Sequence, residues 1–395
     1  MDDIRTFLAC LCKRIGNAST DDSGAREFHP DESELFEKCL FHQVIPHVYL
    51  HREFLQRTFP NLSAAFFERI REYTIYNMTR IMLYESFLKD FLFLLDREQI
   101  DYRILKGIVL AYDLYDQPYL RTFGDIDLLV RQEDLLKVDA VLKNFEFHLA
   151  DDLYSNFPDA VTQKFAFARH YIRSNPADLA VDVHLDISSK LHPFHFDRDD
   201  FWAHYKEVNI DGISCKTFSD EYAAIFLLYH AFKHYYFKIM WILDVFLLLR
   251  RPGFDWERYS RLVKEYRLGR LWSIFLRVSL DLFGTYPVDS HSSAELTVRP
   301  ISKMIQIETI LEGSLPYSPS INRLILPLFY MSSFQQKTRY LWMQLFPPLE
   351  TIIDFHMENG MQPTLRNYLR LRGKAICELI AMAWKQIVRG KHEVL

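Results

Sequence analysis

The sequence lacks the features that mark several large protein classes. Its five cysteines do not have the spacing of zinc ligands, and so few in 395 residues favour a reducing compartment. No signal-peptide pattern opens the chain, because Asp2, Asp3 and Arg5 crowd a short apolar run. The sequence shows no internal repeat and no low-complexity tract. These absences lead us to expect a cytoplasmic protein.

A membrane span and a strongly basic surface are also missing. The longest apolar stretch, residues 223–249, is interrupted by His230, Lys233, His234, Lys238 and Asp244, so it is a poor candidate to cross a bilayer. The net charge is −5, which gives no indication of nucleic acid as a partner. The composition, 49% hydrophobic and 15% aromatic, is sufficient for a large core.

The pattern of apolar residues divides the chain into three regions and predicts an α+β fold. Residues 1–97 and 218–395 show helical spacing, whereas residues 98–217 combine short strands with helices. Within the middle region, Asp211-Gly212 predicts a hairpin turn. We therefore expect a small mixed β-sheet core, flanked by an N-terminal and a C-terminal helical region.

Two aspartates in an apolar run, Asp125 and Asp127, suggest a site of chemistry. A strand directs residues i and i+2 to one face, so the two carboxylates should project together. Adjacent carboxylates repel unless a positive group lies between them, and a pair of divalent cations performs this role in phosphoryl or nucleotidyl transfer. The alternative is a strand end at which both aspartates only meet solvent.

The residues before this pair predict a short strand, a glycine turn and a helix of about two turns. Gly107 would allow the backbone to approach a ligand, and amide groups at a helix start favour a phosphate. Lys106 would add a positive charge there, although it could equally be a solvated lysine. The succession of strand, glycine turn, helix and aspartate pair is more specific than any one of these elements.

A third acid follows in residues 181–187, where polar and apolar residues alternate as in a strand. Asp182 could complete a metal site or take a proton from an attacking hydroxyl. His184 lies on the same face and could contact the same ligand, or it could be a structural histidine. Residues 164–172 also alternate, and we expect them to pair with this strand.

These motifs resemble those of the uncharacterised nucleotidyltransferase family in the DNA polymerase β superfamily. The likeness is carried by residues 105–107, Arg121, Asp125, Asp127, Asp182 and His184. Most superfamily members have glycine followed by serine where this chain has Lys106-Gly107, a form usual for this family. The resemblance implies Asp125, Asp127 and Asp182 as catalytic and metal-binding residues, with Mg²⁺ or Mn²⁺ as the cofactor.

A polar stripe in the C-terminal region extends the resemblance, since it is similar to the family's histidine-lysine-histidine and tryptophan-aspartate pattern. On a single unbroken helix, His230, Lys233, His234, Trp241 and Asp244 fall within a wedge of about 100°. We expect the stripe to face the acids across a cleft. Its alternative is exposure to solvent.

The resemblance implies a metal-dependent transfer of a nucleoside monophosphate from a nucleoside triphosphate to an acceptor hydroxyl, with release of pyrophosphate. The acceptor would be an unknown small molecule, peptide or protein. The expected substrate-binding residues are Lys106, Gly107, Arg121, His184, His230, Lys233, His234 and Asp244. Lys106 and Arg121 could instead organise the loop. The alternative functions are a non-catalytic nucleotide-binding or protein-interaction module, and a phosphohydrolase or kinase-like enzyme.

Overall fold

A computed structural model of the chain describes residues 2–17, 28–150, 168–188 except 176, 192–287 except 235 and 237, 307–312, and 327–345 except 329 and 332, with a few positions between 364 and 377. The start of the predicted strand at 164–172 and most of the predicted C-terminal region beyond residue 287 lie outside the described residues.

The N-terminal region is helical where it is described. Its helices are α1 (Asp2–Ile15), α2 (Glu32–Phe41), α3 (Ile45–Leu50), α4 (Arg52–Thr58) and α5 (Ala64–Arg97). Side chains cap two of them, because Asp31 accepts from the first amides of α2 and the Ser63 hydroxyl accepts from the Phe66 amide. The long helix α5 packs against α2 and α3 and against the helix that follows the second strand.

A five-stranded mixed sheet forms the middle of the molecule, with the order β1-β2-β5-β4-β3. Its strands are β1 (Tyr102–Ile104), β2 (Ile126–Val130), β3 (His148–Leu149), β4 (Ala168–Arg173) and β5 (Leu179–His184). Only the β2–β5 pair is parallel, and the other pairs are antiparallel. The mixed sheet and its helical flanks confirm the predicted α+β fold.

Shorter elements complete this region. They are α6 (Ile108–Leu114), α7 (Leu135–Asn144), α8 (Arg198–Ala203), β6 (Tyr205–Ile210) and β7 (Ile213–Phe218). The last two strands form the hairpin predicted from Asp211-Gly212, and the pairing of β4 with β5 is also confirmed. The hairpin packs on β1 and α6, where the Thr217 hydroxyl donates to the Ile104 carbonyl at 2.7 Å.

The burial of β2 and β5 follows their sequences. All five residues of β2 are buried, as expected for a central strand covered on both faces. Strand β5 alternates, with Leu179, Val181 and Val183 buried and Asp182 and His184 partly exposed. The polar face of β5 is therefore the face that opens to the pocket described below.

The C-terminal region is helical where it is described. Its helices are α9 (Asp220–Lys233), α10 (Ile239–Leu249), α11 (Trp256–Glu265), α12 (Gly269–Phe283), α13 (Ile307–Glu312) and α14 (Phe334–Leu345). None of the helices in the described part of the chain combines the length and apolar character that crossing a bilayer requires. All five cysteines are free thiols.

The helix is interrupted between residues 230 and 244, so the condition for the predicted wedge is not met. Helix α9 ends at Lys233, and Tyr236 adopts a left-handed conformation with φ +57°. Its amide donates to the Ala231 carbonyl at 2.7 Å, which closes the helix end, and its ring is completely buried. Because the chain turns here, the polar residues of the stripe lie on two helices rather than on one face of a single helix.

Candidate active site

A pocket of about 410 Å³ lies between the sheet and helices α9 and α10. From the middle region it is lined by Lys106, Gly107, Arg121, Thr122, Phe123, Gly124, Asp125, Asp127, Asp182, His184 and Ile187. From the helical regions it is lined by Gln43, Phe226, Tyr229, His230, Lys233, His234, Lys238 and Trp241. Every site residue expected from the sequence therefore lines this pocket, with the exception of Asp244.

The acids meet because of strand register. Strands β2 and β5 run parallel with Asp127 directly opposite Asp182 and Leu129 opposite His184, so side chains of one face come together. Ligand atoms of Asp127, Asp182 and His184 all lie within 4.8 Å of one another, close enough to share a metal ion. Asp125 precedes β2 by one residue and lines the same pocket.

Asp127 is the most enclosed carboxylate of the site, with 2% of its side chain exposed. Lys106 Nζ donates to Asp127 Oδ2, and His184 Nε2 lies 3.0 Å from Asp127 Oδ1. Burial raises the pKa of Asp127, but Lys106 and His184 outweigh this effect and hold the pKa far below its usual value. Asp127 is therefore ionised at neutral pH although it is buried.

Lys106 and Asp125 complete this charge cluster. The Lys106 Nζ lies 3.6 Å from Asp125 Oδ1, so the one ammonium group faces both aspartates. Burial alone would lower the pKa of Lys106, but Asp127 and Asp125 raise it above its usual value. For Asp125, burial and the neighbouring Asp127 raise the pKa. Lys106 is consequently a protonated group at the base of the pocket.

Gly107 forms the close turn that was expected from its sequence position. Its φ is +72°, and a β-carbon there would lie 2.9 Å from the Asp125 carbonyl oxygen. Both the dihedral angle and the contact exclude a side chain. The turn therefore brings the backbone of residues 106–107 against the loop that carries Asp125.

A tyrosine of helix α5 hydrogen-bonds the loop that carries Asp125. The Tyr84 hydroxyl donates to the Gly124 carbonyl at 2.5 Å and accepts from the Ala180 amide at 3.2 Å. One side chain thus connects the residue before Asp125 with strand β5, two residues before Asp182. The N-terminal helical region fixes the spacing of the acids although it supplies none of them.

Arg121 and Asp244 form a buried ion pair next to the glycine turn. Arg121 Nε and Nη2 donate to the two Asp244 oxygens at 2.9 and 2.8 Å, and Nη1 donates to the Gly107 carbonyl at 3.1 Å. The Tyr115 hydroxyl donates to Asp244 at 2.7 Å. Asp244 is buried and does not line the pocket, so the expectation that it faces the acids across the cleft is not met. Of the two roles expected for Arg121, this arrangement favours the organisation of the loop.

Helices α9 and α10 and the turn between them supply a cluster of three aromatic rings to the pocket. The ring centroids of His230 and His234 are 4.8 Å apart, and those of Trp241 lie 5.1 and 4.7 Å from them. Burial lowers the pKa of His230 well below its usual value and that of His234 to about 3, and nearby positive charges, including Lys233, add to both effects. The two imidazoles are therefore neutral at pH 7.

The family of uncharacterised nucleotidyltransferases matches residues 29–284. The chain belongs to this nucleotidyltransferase family. No curated protein matches the sequence. A crystal structure of an antigenic nucleotidyltransferase-like protein from Paracoccidioides brasiliensis is similar, with 17% identity over 52% of this chain and 92% of that chain. Its TM-score is 0.26, so it does not bear on any residue of the site.

Among the residues in or beside the pocket that were not expected from the sequence are His170, Lys238 and Gln43. His170 contacts the Asp182 carboxylate, because the two residues are partners in the β4–β5 register. That register could have been inferred from the two alternating runs. Lys238 and Gln43 line the pocket, and Lys238 Nζ lies 5.0 Å from the centre of the Trp241 ring. No local pattern marks Gln43, which reaches the pocket from the end of α2.

Proposed function

We propose that this protein transfers a nucleoside monophosphate from a nucleoside triphosphate to a hydroxyl group of a small molecule, peptide or protein, with release of pyrophosphate. The observation that carries the proposal is the cluster of Asp127, Asp182 and His184, whose ligand atoms lie within 4.8 Å beside Lys106. The cluster opens to a pocket of about 410 Å³, a volume within the range of small-molecule sites.

The residues at this position suit a divalent cation. Carboxylate oxygens are the ligands that Mg²⁺ and Mn²⁺ prefer, and Asp125, Asp127 and Asp182 all line the pocket. These three aspartates would hold the metal, with His184 as a neighbour that orients Asp127. When bound, the metal would neutralise the charge of the triphosphate and of the departing pyrophosphate.

In this transfer, different side chains of the protein would bind the phosphates and remove the proton. Lys106 is protonated and would bind a phosphate oxygen, while Gly107 leaves the backbone beside it free of a side chain. Asp182 is half-buried at the pocket and would accept the proton of the attacking hydroxyl. These roles place proton removal on β5 and phosphate binding on the turn after β1.

The pocket residues of α9 and of the turn after it would bind the parts of the nucleotide and the acceptor that do not contact the metal. Lys233 would pair with a phosphate or with a polar acceptor, and the neutral imidazoles of His230 and His234 can each donate and accept a hydrogen bond. Arg121 would act indirectly, because its contact with the Gly107 carbonyl maintains the turn.

A second candidate is a nucleotide-binding module without catalysis. It is favoured by the position of Lys106, whose ammonium group already balances Asp127 and Asp125 without a metal ion. In such a module, nucleotide binding would be independent of divalent cations.

One set of measurements separates these candidates. We expect MgCl₂ or MnCl₂ with a nucleoside triphosphate to raise the melting temperature more than either component alone. Incubation with candidate acceptors should release pyrophosphate, whereas orthophosphate would indicate a phosphohydrolase or a kinase-like enzyme. Asp182→Asn should lose turnover and keep its fold, with Asp90→Asn on the exposed face of α5 as the control. Nucleotide binding without any metal dependence or turnover would support the non-catalytic module.

A further inference from the structure

We propose that Gln43, supplied by the N-terminal helical region, hydrogen-bonds the edge of the nucleobase and contributes to the choice of nucleotide. The inference deepens the proposed function and rests on it. The residue just after α2 would then take part in nucleotide recognition, while α2 itself contributes to the core.

The backbone at Gln43 has a conformation that favours glycine. Helix α2 ends at Phe41, and Gln43 follows in the left-handed region with φ +62°. The Gln43 amide donates to the Leu40 carbonyl and the Val44 amide donates to the Cys39 carbonyl, each at 3.0 Å. Glycine or asparagine usually occupies this position after a helix, because a larger side chain is disfavoured there.

The backbone before Gln43 is bonded to helix α10 beside the pocket. The preceding residue, His42, accepts from the Met240 amide through its carbonyl and from the Ile239 amide through Nδ1, both at 3.4 Å. These bonds attach the residue before Gln43 to the start of α10, next to Lys238. Gln43 is half-buried and lines the pocket, and its amide makes no side-chain hydrogen bond within the part of the chain that the structure describes.

The chemistry of the pocket lining indicates which part of a nucleotide Gln43 would contact. Lys106 and the aspartates form a charged cluster, which suits phosphates. Gln43 lies instead beside the start of α10, which carries Trp241 in its ring contacts with the neutral His230 and His234. A carboxamide offers both a donor and an acceptor, the combination that the edges of nucleobases present.

Gln99 provides a matched control. It follows α5 with φ +56°, its amide donates to the Asp96 carbonyl at 3.0 Å, and the Ile100 amide donates to the Leu95 carbonyl at 2.9 Å. The backbone arrangement is therefore the same as at Gln43. Gln99 is exposed and does not line the pocket, so a substitution by glycine relieves the same backbone conformation without changing the site.

The test compares Gln43→Gly and Gln99→Gly in the full chain by calorimetric titration. The probes are the four nucleoside triphosphates and inorganic tripolyphosphate, each with MgCl₂ and without an acceptor. We expect Gln43→Gly to bind the preferred nucleotide about tenfold more weakly, which corresponds to the loss of one or two hydrogen bonds. Its discrimination among the four bases should fall, while its affinity for tripolyphosphate stays the same. Gln99→Gly should match the unaltered chain, and both variants should melt at the same temperature or higher.

Three results would overturn the inference. Gln43→Gly could bind all four nucleotides as the unaltered chain does, which would exclude a contact with the base. It could lose affinity for tripolyphosphate as much as for nucleotides, which would mean that Gln43 acts on the shape of the pocket. If the unaltered chain binds no nucleotide, the proposed function fails first, and the role of Gln43 falls with it.

Discussion

The two walls of the pocket differ in the charge of their most buried titratable groups, Asp127 and the pair His230 and His234. The sheet wall comprises Lys106, Asp125, Asp127, Asp182 and His184, and the helical wall comprises His230, Lys233, His234, Lys238 and Trp241. In the sheet wall, Asp127 remains charged because Lys106 and His184 outweigh its desolvation. In the helical wall, His230 and His234 are neutral because neighbouring positive groups reinforce desolvation.

The difference shows that burial alone does not decide which groups carry charge at this site, because partners can either oppose its effect or add to it. A buried aspartate beside a lysine keeps its negative charge, whereas a buried histidine beside lysines gives up its proton. Under the proposed function, the transfer chemistry would belong to the sheet wall, and shape and hydrogen bonding to the helical wall.

Removal of the Asp127 charge should have the largest effect on activity. Asp127→Asn preserves the size of the side chain but removes the anion that Lys106 and His184 stabilise. We expect turnover to fall about a thousandfold, equivalent to about 4 kcal/mol of transition-state stabilisation. Pyrophosphate release measures the effect, and circular dichroism checks the fold. Full activity in this variant would show that the sheet wall does not carry out the transfer.

A substitution of Asp244 tests whether loss of any buried aspartate near the pocket would reduce turnover as loss of Asp127 does. It is as enclosed as Asp127, but it pairs with Arg121 and belongs to neither wall. Asp244→Asn should leave the buried guanidinium without a full counter-charge and lower the free energy of unfolding by about 3 kcal/mol or more. Urea denaturation measures this loss. The assignment would be wrong if the variant were stable and only nucleotide binding were lost.

Gly107 and Gly124 allow a test of the turn within the sheet wall. Gly107→Ala introduces a β-carbon 2.9 Å from the Asp125 carbonyl at a φ of +72°, so we expect a loss of about 1–3 kcal/mol in unfolding free energy and weaker nucleotide binding. Gly124→Ala meets no atom within 4 Å and should be nearly neutral. Equal effects of the two substitutions would show that the turn is not constrained as described.

The sheet wall could be predicted from the sequence to a large extent because its determinants are local. Alternation within strands places Asp125 with Asp127 and Asp182 with His184, and the glycine turn is visible as Lys106-Gly107. Only the parallel register of β2 and β5, which sets Asp127 opposite Asp182, depends on contacts that the sequence does not display.

For the helical wall, the sequence indicated most of the residues but not their arrangement on two helices. The turn between α9 and α10 contains neither glycine nor proline, and the left-handed conformation of Tyr236 is maintained by burial of its ring among distant helices. The pairing of Arg121 with Asp244 joins residues far apart in the chain, and Gln43 arrives from another region altogether. Such contacts arise from tertiary packing, which has no periodicity in the sequence.

The smallest expected effect concerns the pH dependence of stability in the helical wall. The pKa of His234 is about 3 in the folded protein, below the value of about 6.5 in an unfolded chain, so folding favours the neutral ring. Its contribution is fully present above pH 6.5 and is lost as the pH falls from there towards 3, by up to about 1.4 kcal/mol per pH unit. Between pH 7 and pH 6 the loss is under about 1 kcal/mol. We expect His234→Gln to flatten the decrease in unfolding free energy over this range, and exposed His29→Gln to leave it unchanged. An unaltered slope in His234→Gln would mean that the helical wall accommodates a charged ring, and the contrast between the two walls would no longer hold.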